Sequence, residues 1–130
     1  MAAPQPAASI SSIGIPREIK PDDQRVALTP DAVRELVSIG LEVRIEQGAG
    51  QGAGIDDASF AAAGAALVSS EEAWGAHLVV KVKEPQPEEF GFLRQDMVLF
   101  TYLHLAAYPA VGQALLKSGC TSIALSLIHI

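Results

Sequence analysis

Short apolar runs separated by capped, periodic segments set the organisation of this chain. The runs lie at residues 13–16, 41–46, 65–68, 77–82, 97–101 and 120–125, and helix signals fall between most of them. Four to eight apolar residues bounded by turn formers read as strands. Residues 78–82 and 97–101 are nearly continuous in apolar character, as expected of strands covered on both faces in a parallel sheet. By contrast 41–46 alternates apolar and polar, which places that strand nearer a sheet edge.

Thr29, Pro30 and Asp31 open a helix: an N-cap oxygen, a proline where no N–H is needed, and a carboxylate on the helix dipole. Val33, Leu36 and Val37 are its apolar stripe and Gly40 closes it. Asp56 and Asp57 cap a short Ala-rich helix that stops at Gly64. Ser69 and Glu72 have capping-box spacing, so a helical turn runs through Trp74. Pro85, Pro87 and Gly91 mark a bridge with one helical turn, and a last helix starts near Pro109, buries Val111, Ala114 and Leu115 and ends at Gly119. Strand and helix alternate throughout, which predicts an α/β fold. The expected form is a doubly wound, mostly parallel sheet with helices on both faces, of flavodoxin or Rossmann type.

With 130 residues, 49% of them hydrophobic and 18% charged, the chain has material for one domain with a real core. Residues 1–12 are Ala, Pro and Ser without a basic start or a long apolar stretch, and are expected to be a disordered leader. The domain then covers 13–124. A net charge of −6 and nine scattered Lys and Arg residues give no footprint for nucleic acid. No apolar run approaches the roughly 20 residues of a membrane span. The single cysteine, Cys120, precedes a strand and is expected as a buried thiol, so a reducing, cytoplasmic setting is the default.

In open α/β sheets the crevice lies beyond the carboxyl ends of the strands. If 78–82 and 97–101 are parallel neighbours, Lys83 and His104 arrive there together. Lys83 as a strand-end lysine would ordinarily keep its head in water, whereas at a crevice it grips a carboxylate and is a candidate catalytic group for proton work. Glu84 beside it either orients it or is solvated. His104 alone reads as a strand-end histidine, and in the crevice as a general acid and base. Arg25, in the loop before the first helix, has the fork that suits a carboxylate, provided the loop folds over the strand ends. His77 and Trp74 read as structural.

Gly48-x-Gly50-x-x-Ala53 matches the dinucleotide fingerprint G-x-G-x-x-G/A. Its strand looks like an edge, glycines continue to Gly54, and Ile55-Asp56-Asp57 stands where a helix should already be under way. A plain glycine loop is the preferred reading. No Cys/His grouping has metal spacing, and no Ser/His/Asp order points to acyl transfer.

Ile13-Gly14-Ile15-Pro16-Arg17-Glu18 followed by Arg25-Val26-Ala27-Leu28-Thr29-Pro30 resembles the amino terminus of alanine dehydrogenases. So do Gln47-Gly48-Ala49-Gly50, Val80-Lys81-Val82-Lys83-Glu84-Pro85 and Leu99-Phe100-Thr101-Tyr102-Leu103-His104-Leu105-Ala106, in that family's order. The resemblance implies a substrate domain in which Arg25 and Lys83 hold pyruvate or L-alanine and His104 is the acid and base. It implies NAD held by a separate Rossmann domain further along, so that this chain is a fragment, inactive alone, and it implies a homohexamer. Residues 125–130 do not resemble the family's continuation and His129 gets no role.

The nucleotide-binding alpha subunit of the proton-pumping NAD(P) transhydrogenase is similar at the amino terminus and glycine loop, but differs at Lys83-Glu84 and Leu103-His104. Saccharopine dehydrogenase uses a similar lysine and histidine but matches less of the chain. A non-catalytic ligand-binding or assembly module on the same scaffold is the alternative from another class.

Overall fold

The computed structural model describes residues 10–101 and 109–124. Six parallel strands are joined in the order β3-β2-β1-β4-β5-β6, with β1 Ser12–Ile15, β2 Glu42–Glu46, β3 Ala66–Val68, β4 Leu78–Val80, β5 Val98–Thr101 and β6 Thr121–Ala124. The strand order reverses between β1 and β4, which is the switch point of a Rossmann-type sheet. The expected alternation therefore resolves to this doubly wound order rather than to the flavodoxin one.

Helices α1 Pro30–Ser38, α2 Asp57–Ala62, α3 Ser70–Trp74 and α4 Pro109–Ser118 connect the strands, with 3₁₀ segments at Gln51–Ala53 and Pro87–Phe92. The caps form as their chemistry dictates. Thr29 Oγ1 accepts from Ala32 N at 3.2 Å, and Asp56 Oδ1 accepts from Ser59 N at 2.9 Å. The Ser69 and Glu72 box closes in both directions.

Side-chain alternation splits the core in two. Ile13, Ile15, Val43 and Ile45 face α1 and α2, packing with Val33, Phe60 and Ala63. Val79 and Leu99 point to the other face, where they meet Trp74, Leu93, Met97, Val111 and Leu115. α3 reaches that second face only because β1 carries Gly14: a Cβ there would stand 1.7 Å from the Ala73 carbonyl oxygen. The alternation of β2 has its reason here too, since Arg44 lies under α3 and donates from Nη1 to Glu72 O. β2 is one strand in from the edge, with the short β3 outside it.

Two expectations change. Cys120 is half-buried, its Sγ 3.7 Å from Ser122 Oγ, because the strand it precedes is the sheet edge. The strand expected to run to Val82 pairs regularly only to Val80, and Lys81 N still donates to Phe100 O at 3.0 Å. The amides of Val82 and Lys83 then turn to a side chain, as described next.

Candidate active site

The loops leaving β1 and β4 meet at the switch point. Glu18, three residues past β1, extends its carboxylate across to the end of β4. Its Oε2 accepts from Val82 N at 2.9 Å, and its Oε1 accepts from Lys83 N at 3.1 Å and from Lys81 Nζ at 3.2 Å. Lys81 also donates to Glu89 Oε2 at 3.2 Å, and its ammonium lies 5.9 Å from the Trp74 ring centroid. Lys81 and Glu18 side chains are each 1% exposed. Two carboxylates thus share one buried lysine. Burial pushes the Glu89 carboxyl above its usual value, with the Lys81 charge pulling the other way.

Lys83, two residues on, is half-buried. Arg25 is exposed and its fork is engaged with Asp23: Nε donates to Oδ1 at 3.2 Å and Nη2 to Oδ2 at 2.8 Å. Hydrogen bonding to Arg25 holds the Asp23 carboxyl below its usual range, against its burial, and the Lys83 charge contributes in the same direction. Arg25, Asp23 and Lys83 therefore share one electrostatic neighbourhood. Glu84 is buried and accepts from Lys20 Nζ at 2.7 Å, so it is not a solvated neighbour of Lys83. β4 and β5 are indeed adjacent and parallel. His104 lies outside the described residues, as do the leader up to residue 9 and the end from 125 to 130.

A cavity of about 250 Å³ opens between the arginine loop and the glycine loop, lined by Arg17, Glu18, Asp23, Arg25, Gly48 and Gln51 among others. A roomier cleft of about 630 Å³ runs between the 3₁₀ segment and α4, against Phe90, Leu93, Ala114 and Lys117. Among the described residues it gathers no set of acid and base groups.

The glycine loop does not fit a dinucleotide. Gly48 N, the amide that would meet a phosphate, donates to Asp57 Oδ1 at 3.0 Å, so an anion already occupies the place. A Cβ on Gly50 would come within 2.6 Å of the Phe60 ring, and one on Gly52 within 2.7 Å of Gln24 Cβ. The glycines serve close packing within the protein. Among the described residues, no three His, Cys, Asp or Glu side chains are grouped to hold a metal, and no helix is long and apolar enough to cross a membrane.

The family model described as alanine dehydrogenase/PNT, N-terminal domain, matches residues 14–130. The chain belongs to this family. Alanine dehydrogenase of Mycobacterium tuberculosis is 52% identical over 119 residues, covering 90% of this chain and 32% of that protein. The Bacillus subtilis enzyme is 50% identical over 113 residues, covering 86% and 30%. A solved L-alanine dehydrogenase superposes with a TM-score of 0.85 at 48% identity, covering 87% of this chain and 32% of that one. A transhydrogenase from Sinorhizobium meliloti gives 0.84 at 29% identity, covering 91% and 36%. The chain spans about a third of the length of the alanine dehydrogenases it matches.

Within this family domain, the Glu18, Lys81 and Glu89 network went unread in the sequence. A signal was there: Lys81 sits between Val80 and Val82 in an apolar run, where a charge survives only if partnered inside. Nothing local, however, points to Glu18 and Glu89 as its partners, 63 and 8 residues away.

Proposed function

We propose that this chain is the substrate-binding part of an NAD-dependent L-alanine dehydrogenase and does not turn over by itself. What supports the proposal is that Arg25, in the loop after β1, and Lys83, just past β4, follow the two strands that flank the switch point, in a domain about half identical to alanine dehydrogenases. The reaction is L-alanine, water and NAD⁺ going reversibly to pyruvate, ammonium, NADH and a proton.

In this reading Arg25 and Lys83 hold the carboxylate and carbonyl end of the substrate, a task for a planar fork and a point charge together. His104 moves the proton at the substituent of the reacting carbon. The nicotinamide supplies hydride transfer, and its dinucleotide is held by a Rossmann domain outside the present chain, consistent with a glycine loop here that is filled by protein. A soluble cytoplasmic homohexamer completes the proposal, on the family resemblance.

The transhydrogenase reading shares the family model and has a TM-score of 0.84, but at an identity of 29% against about 50% for the alanine dehydrogenases. A non-catalytic module would account for the Glu18, Lys81 and Glu89 network as structure but gives Lys83 no task. The test is turnover in the full-length protein carrying these residues. The wild type should form NADH from L-alanine and NAD, and His104→Ala should lose about 10²–10⁴-fold in kcat while still binding NADH. Near-normal turnover by the variant would end the assignment.

A further inference from the structure

We infer that Glu18 is a positioning residue for Lys83, setting the reach of the substrate-binding lysine through its backbone. The inference rests on the proposed dehydrogenase reading.

Beyond Lys81, whose amide still donates to Phe100 O, the chain leaves the sheet, and the next amides need acceptors. Glu18 supplies them with both oxygens, at 2.9 Å to Val82 N and 3.1 Å to Lys83 N. A carboxylate offers acceptors only, so it can receive both amides and an ammonium together without a repulsive contact. Lys81 provides that ammonium and cancels the charge which burial would otherwise make costly. The result fixes the backbone of residue 83 to the loop after β1. That loop also carries Asp23 and Arg25, so one buried side chain ties the lysine to the strand whose loop bears the arginine.

Glu89 provides the comparison. It shares Lys81 with Glu18, at the same 3.2 Å, but its other oxygen accepts from Gln86 N rather than from the amides at 82 and 83. A role confined to neutralising Lys81 would make the two acids equivalent. A positioning role separates them.

The test compares Glu18→Gln with Glu89→Gln. A glutamine at 18 keeps the size but turns one acceptor into a donor, which must face either an amide or the ammonium. In the full-length protein, Glu18→Gln should raise the KM for pyruvate about tenfold, the worth of one charge-assisted bond, with kcat changed far less. Glu89→Gln should leave that KM unchanged whatever it does to melting. Amide hydrogen exchange supplies a readout independent of activity: Val82 and Lys83 should exchange faster in Glu18→Gln and not in Glu89→Gln. Equal KM values in the two variants, or unchanged exchange at 82 and 83 in Glu18→Gln, would overturn the inference while wild-type turnover stands. A wild type without alanine turnover would overturn the dehydrogenase reading itself, and this inference with it.

Discussion

Gln24 lies so close to Gly52 that a Cβ on the glycine would stand 2.7 Å from Gln24 Cβ and 2.9 Å from its carbonyl oxygen. The loop that carries Arg25 is thus seated on the glycine loop after β2, with no room for a side chain between them. The fingerprint-like glycines acquire a task in this contact that has nothing to do with phosphates. Gly52→Ala should lift residues 23–25 from their seat, costing about 1–3 kcal/mol of stability as an overpacked contact does. It should also raise the KM for pyruvate in the full-length protein. Gly54→Ala is unsuitable as a control because of its φ of +79°, whereas Gly91, with nothing within 4 Å of its added Cβ, provides one. Urea unfolding and steady-state kinetics of Gly52→Ala and Gly91→Ala check the prediction.

Gly14 bears on the fold and not on the site. A Cβ at 1.7 Å from the Ala73 carbonyl leaves no rotamer to escape into, and the atom it meets is backbone. Gly14→Ala should push α3 off the sheet and cost at least the roughly 3 kcal/mol at the upper end of overpacking. The chain should show an early thermal transition by circular dichroism.

Glu89 gives a pH dependence with a definite sign. Burial raises its carboxyl above the usual 4.5, so the folded chain holds this proton more tightly than the unfolded one. The stability that this preference adds is fully present below 4.5 and is lost as pH rises through the raised folded value. Glu89→Gln keeps the neutral form at all pH. The stability of the variant minus that of the wild type should therefore be more favourable at about pH 7 than at about pH 4, measured by urea unfolding at both. Asp23, whose lowered carboxyl contributes above 3.8 and fades as pH falls, is common to both chains and cancels.

Most of the architecture was legible in the sequence because it is written locally. Thr29 with Pro30, Asp56, and Ser69 with Glu72 each announce a helix start within four residues, and each forms the bonds that its chemistry implies. The continuous apolar character of 78–80 and 98–100 reflects central strands covered by packed residues on one or both faces. What stayed hidden is non-local. The bond from Glu18 to Lys83 spans 65 positions, and no periodicity encodes it. The fork of Arg25 suits a carboxylate, as its chemistry implies, but nothing in the loop sequence singles out Asp23, two residues away, as the carboxylate it engages. Cys120 is half-buried rather than buried because β6 is an edge strand, and an apolar run does not by itself tell an edge strand from a central one.

The central claim is that Lys83 serves the substrate while Lys81 serves the fold. Lys81→Met leaves Glu18 and Glu89 buried without their shared cation, and should cost about 3–5 kcal/mol of stability. Lys83→Met leaves that network intact. The kcat/KM of Lys83→Met for pyruvate reduction, in the full-length protein, is the most direct measurement. The account predicts a loss of at least about tenfold with an unchanged melting transition, and a kcat/KM equal to that of the wild type would contradict it.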